Sequence, residues 1–164
     1  MEHRWFHITS HSYRVWLHGD AHGFRTRHHR EHLEGDYKNP PPPDKYEQKR
    51  KRSVKLLKQA SVIPEPAWRA IVGAAVKDKL ITLGAQMLCM SMSATHAHVL
   101  AKMPQGPIPR SWMGQAKKQS NFISKVPGWT GKLWAVRSKV TPVKAREHQV
   151  NAFNYILNHI KEGA

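Results

Sequence analysis

The chain has 164 residues, with 27 Lys and Arg against 11 Asp and Glu, a formal net charge of +16 and a sequence pI near 10.3. That length forms one domain able to bury its own core, and a charge so far past what solubility needs points to a polyanionic partner, nucleic acid or an anionic membrane surface. No apolar stretch is long enough for a bilayer span and "MEHRWFHITS" does not read as a signal peptide, so a soluble, cytoplasmic protein is expected; the single cysteine, Cys89, excludes an internal disulfide framework and leaves the 12 histidines to carry any metal.

From Trp5 to Leu17, "WFHITSHSYRVWL" alternates and is rich in aromatic, β-branched and Thr residues, which predicts a first strand. An irregular, Pro-rich and basic insertion follows over about residues 18–60, where Pro40 to Pro43 and clustered charges permit neither a central strand nor a long helix. Its end, "KRKRSVKLLKQA", suits a short basic helix. Pro64, Glu65 and Pro66 mark a helix start, and Trp68, Ile71, Val72, Ala75 and Val76 recur at three and four up to Gly84. "AQMLCMSMS" and "HAHVLAKM" are apolar runs separated only by Ala94 and Thr95, so a tight hairpin is expected. A second such helix follows Pro109, with Trp112, Ala116, Phe122 and Ile123 on one side. A fourth strand lies between Gly131 and Pro142, and a last helix carries Val150, Phe153, Ile156, Leu157 and Ile160 as a stripe.

Setting the short basic helix aside, the order strand, helix, strand, strand, helix, strand is that of an α+β, ferredoxin-like (RRM-like) fold: an antiparallel four-stranded sheet with two helices on one face. The extra C-terminal helix would cover the other face, and residues 1–164 would form one domain. The third strand would then lie mid-sheet, with His96 and His98 on one face about 6.6 Å apart along the strand and Ala97 and Val99 toward the core. The spacing alone is weak, since a chain with 12 His in 164 residues carries about one His-x-His triplet by chance. A catalytic ion also needs a third ligand. Tyr155 and His159, four apart on the closing helix, would bring a phenol and a third imidazole to the pair.

Four stretches carry a resemblance over most of the chain: "WLHGDAHG" closing the first strand, "HAH" followed by "VLAKMP", "KLWAVRSKV" before the final helix, and "NYILNHIKEGA" within it. They resemble the HUH single-stranded-DNA endonucleases, specifically the single-tyrosine transposases of small insertion sequences and their REP-associated relatives. The resemblance implies an enzyme that nicks and joins single-stranded or hairpin DNA. It implies His96, His98 and His159 as ligands of Mg²⁺ or Mn²⁺, and Tyr155 as the nucleophile that forms a 5′-phosphotyrosine and leaves a free 3′-OH. It also allows a homodimer in which the helix of one subunit completes the site of another. An all-nitrogen ligand set suits Mn²⁺, Ni²⁺ or Zn²⁺ better than Mg²⁺.

Plainer roles stand beside these: His96 and His98 as ordinary sheet residues, Tyr155 as an aromatic packed on its helix stripe, and His159 as a cation favoured at a helix C-terminus. The Arg-interleaved "RHHREH" from Arg27 to His32 reads as a solvated basic loop, and His11 would line the site if its face of the first strand is the catalytic one. Lys117, Lys118, Arg137 and Lys139, with the run "KRKRSVKLLK", are candidate phosphate contacts. Trp5, Trp16, Trp112, Trp129 and Trp134 suit base stacking or core packing. Two other functions fit this composition: a non-catalytic nucleic-acid-binding domain on an RRM-like sheet, and a metal-dependent nuclease that uses water.

Overall fold

A computed structural model of the chain describes residues 2–13, 15, 17–20, 46–58, 64–125 and 130–161. These fall into two compact units, Met1–Tyr13 with Val62–Ala164, and Arg14–Ser61. In the smaller unit, α1 (Glu47–Lys55) buries no residue and carries a Glu47–Lys51 ion pair of 2.7 Å. Gly19, at φ +91°, lies so close to the backbone of Tyr46 and Arg50 that a Cβ there would collide with it. Most of the anticipated insertion, including Pro40–Pro43 and Arg27–His32, lies outside the described residues.

The larger unit runs β1 (His3–Ser12), α2 (Pro66–Thr82), β2 (Gln86–Met92), β3 (His96–Pro104), α3 (Ile108–Ile123), β4 (Trp134–Pro142) and α4 (Arg146–Lys161). The strands form one antiparallel sheet in the order β2-β3-β1-β4, so the architecture is α+β and β1 and β3 are the central pair. Alternation divides β3 between two cores. Ala97, Val99, Ala101 and Met103 meet Phe6 and Ile8 of β1 beneath Val72, Val76 and Leu80 of α2 and Met113 and Ala116 of α3. On the other face Leu100 meets Ala152 and Ile156 of α4 and Val143.

Local chemistry explains the ends of these elements. Pro66 opens α2 at a position where its missing N–H costs nothing. Gly84, at φ +99°, closes it in a Schellman arrangement: Ala85 N–H donates to Leu80 O at 3.0 Å and Gly84 N–H to Ile81 O at 2.8 Å, with Leu80 and Ala85 both buried. β1 stops at Ser12, short of the anticipated Leu17. Its pairing with β4 slips between Ser10 and Ser12, and Tyr13 N–H then turns to Leu133 O at 2.8 Å. The β2–β3 hairpin is as tight as anticipated: Ser93 N–H donates to His96 O at 2.8 Å across Ala94 and Thr95.

Candidate metal centre

β3 and α4 build the centre together. The strand period turns His96 and His98 toward the α4 face of the sheet while Ala97 and Val99 go to the opposite core. α4 is anchored on that face by Ala152 and Ile156, which are buried one helical turn apart. That anchorage brings Tyr155 and His159, also one turn apart, over the strand histidines. Ring centroids are 4.7 Å apart for His96 and His98, 5.1 Å for His96 and His159, and 5.0 Å for His98 and His159. The Tyr155 ring lies 5.0 Å from His98 and 4.7 Å from His159, and Tyr155 keeps 48% of its surface exposed.

One nitrogen from each of His96, His98 and His159 lies within 4.8 Å of the others, close enough for a single ion to be shared. The hydrogen bonds indicate which nitrogens are available. His98 Nδ1 is 3.0 Å from His7 Nε2 and 3.2 Å from Thr9 Oγ1, while His96 Nδ1 is 2.8 Å from Thr95 Oγ1 and 3.2 Å from Ser93 Oγ. His98 Nε2 is buried and has no hydrogen-bond partner. A buried polar atom without a partner is uncommon and asks for a ligand, so the donor set fits a divalent ion that accepts imidazole nitrogen.

Electrostatics favour the neutral rings that metal binding requires. Burial, reinforced by His96, His7, His159 and His11, holds the His98 imidazole down to about 3. Burial, with His159 and His11, holds His96 at about 4. His7 is lowered by burial and then by His148 and Lys139, and His11 by burial and then by Lys117. The His11 ring lies 5.9 Å from that of His96. Thr9, Ser93 and Thr95 are partners that the sequence reading passes over. Thr9 was accessible to it, because His7, Thr9 and His11 form one period-two face of β1.

The basic candidates separate. Lys139 pairs with Thr9 across β1–β4 and acts on His7, which puts it on the imidazole face; Arg137, two residues earlier, is exposed. Lys118 is exposed on α3, the helix that covers the opposite face. Lys117 differs from the expectation of a surface phosphate contact. It is buried, its ammonium donates to the carbonyls of Ala135 and Val136, and burial pushes it down to about 8. Those carbonyls lie where β4 bulges away from β1, between Trp134 and Ser138, and the lysine supplies donors that the ladder does not. Among the tryptophans, Trp134 is buried and donates to Ser120 Oγ at 2.8 Å, Trp5 and Trp112 pack against the two cores, and Trp16 and Trp129 lie outside the described residues. No helix among the described residues is long and apolar enough to cross a membrane.

No protein-family profile matches the chain, and no curated protein does. Among solved structures, a protein described as a candidate transposase from Deinococcus radiodurans R1 is similar over 97% of this chain and 92% of its own, at a TM-score of 0.43 and 14% sequence identity.

Proposed function

We propose that the protein is a metal-dependent, single-tyrosine DNA nicking and joining enzyme of the HUH transposase type, acting on single-stranded or hairpin DNA. In this reading the sheet of order β2-β3-β1-β4 is a ferredoxin-like frame, α4 is the added helix that carries the nucleophile, and residues 1–164 form one catalytic domain with an insertion over about 18–60. The observation that carries it is the half-exposed Tyr155 ring beside three imidazoles, one of which holds a buried, unpartnered nitrogen. All four side chains belong to one chain, so a homodimer is compatible with the site but not needed to complete it.

His96, His98 and His159 would hold Mn²⁺ or Mg²⁺, and the ion when bound supplies Lewis-acid polarisation of the scissile phosphate and offsets its charge. Tyr155 Oη attacks phosphorus, the bond to the 3′ oxygen breaks, and the phenol proton ends on that oxygen by way of solvent. The products are a 5′-phosphotyrosine and a free 3′-OH. The new ester keeps the energy of the old one, so the reverse attack by a 3′-OH rejoins strands without a nucleotide cofactor. Lys139 and Arg137 hold phosphates leading to the site, and Lys118 serves DNA that continues past the sheet edge. A cytoplasmic location accords with this chemistry.

End-labelled single-stranded and hairpin DNA incubated with the protein and Mn²⁺, then run on a denaturing gel, tests the reading. A covalently shifted band that is lost in Tyr155→Phe is the expected result. Cleavage without a shifted band would instead identify a water-using nuclease. Binding without cleavage, unchanged in Tyr155→Phe, would identify a non-catalytic nucleic-acid binder.

A further inference from the structure

We infer that His7 is a positioning residue of the imidazole cluster: its Nε2 accepts the Nδ1 proton of His98 and so fixes the His98 lone pair on Nε2, the nitrogen left for an ion. The inference rests on the reading of the cluster as a metal centre, and it adds a residue of β1 that is not one of the ligands.

A neutral imidazole has one proton for two nitrogens, and its surroundings choose between them. His98 Nδ1 has two partners, His7 Nε2 at 3.0 Å and Thr9 Oγ1 at 3.2 Å, whereas His98 Nε2 is buried with none. If the proton sat on Nε2, a buried N–H would be left unsatisfied. With the proton on Nδ1 it is donated, and only a lone pair is left without a partner, the less costly omission. The Thr9 hydroxyl rotates to donate or accept and serves either tautomer. His7 Nε2 also takes either role, but only in concert with its own Nδ1, so the two rings lock as a pair, and the buried, partnerless Nε2 of His98 selects the arrangement His98 Nδ1–H to His7 Nε2. The contact is set by the fold, since His7 and His98 are diagonal neighbours across the central β1–β3 pair, where Thr9 lies directly opposite His98. The strand ligand His96 is served differently, by the hydroxyls of Thr95 and Ser93 in its own hairpin. Dependence on an imidazole partner is thus a property of His98.

Long-range nitrogen–proton correlation spectra of the ¹⁵N-labelled, metal-free protein read the tautomer directly. The wild type should carry the His98 proton on Nδ1. His7→Phe, which keeps an aromatic ring but removes the acceptor, leaves Thr9 Oγ1 as the remaining partner of Nδ1 and should shift that proton partly to Nε2. His7→Gln, whose amide oxygen can accept, should restore it, and Thr9→Val should leave it in place. Mn²⁺ titration by calorimetry gives the second readout: about 10–100-fold weaker binding in His7→Phe and recovery in His7→Gln. A wild-type proton on Nε2, a tautomer unmoved by His7→Phe, or a Thr9→Val effect as large as that of His7→Phe would overturn the assignment. A tautomer that responds as stated in a protein that binds no Mn²⁺ would uphold the role of His7 and overturn the metal centre.

Discussion

His98 is buried to 4% exposure among four other imidazoles, and that surrounding fixes how the metal-free protein responds to acid. In the unfolded chain it takes a proton near pH 6.5, and in the folded protein only near 3. The unfolded chain therefore binds the proton first. The contribution of His98 to stability is complete above its unfolded value and is lost as the pH falls toward the folded one, at about 1.4 kcal/mol per pH unit. His96 acts in the same direction, less strongly because solvent reaches it. Urea denaturation between about pH 7 and 5 should show unfolding free energy falling with acid, and His98→Gln should flatten the fall. An equal slope in both proteins would mean that His98 does not titrate on unfolding.

Among the elements, α4 decides whether there is a site at all, and Ile156 is its anchor. Ile156 is fully buried against Leu100 and Val143, while Val150 on the same helix is 41% exposed. Ile156→Ala should cost about 2–5 kcal/mol and weaken Mn²⁺ binding as Tyr155 and His159 loosen over the sheet. Val150→Ala should stay within about 0.5 kcal/mol of wild type in thermal denaturation. Gly84 provides a second test at this scale. A Cβ there would meet only Trp112, at an ordinary 3.6 Å, so the cost of Gly84→Ala, about 1–2 kcal/mol, reflects its φ of +99° alone.

The helical elements were legible because their signals are local: Pro66 and Gly84 bracket α2, and Val150, Ile156 and Ile160 announce α4 by spacing. The end of β1 was not, because the aromatic run continues through Tyr13, and what stops the strand is a register slip against β4, a partner more than 120 residues away in sequence, as the Ser12–Trp134 pair shows. The burial of Lys117 was hidden for the same reason. Its neighbour Lys118 is as basic on paper, and only the bulge of β4 supplies carbonyls for one of the two. The grouping of His96 and His98 follows from strand period, whereas the bond from His7 to His98 depends on the β1–β3 register, which no local pattern states.

For the whole molecule, the proposed function at a net charge of +16 predicts a salt-dependent DNA affinity, with the fold sorting which cations take part. Each phosphate held on a single strand contributes about 0.7 to the slope of log affinity against log salt. Lys139 lies on the imidazole face and Arg137 is exposed, and the proposed function has both hold phosphates. Lys139→Ala and Arg137→Ala should therefore each reduce the slope by about 0.7 in fluorescence-anisotropy titrations of single-stranded DNA. Lys117→Met removes the same unit of charge but takes it from beneath the β4 bulge, where Ala135 and Val136 hold the ammonium, and it should leave the slope unchanged. Above about 0.1 M salt, a charge more than about 10 Å from the strand is screened, so the comparison isolates contacts from the general field. Equal slopes for Lys139→Ala and wild type would remove β4 from the DNA path, and a reduced slope in Lys117→Met would mean that the bulge opens when DNA binds.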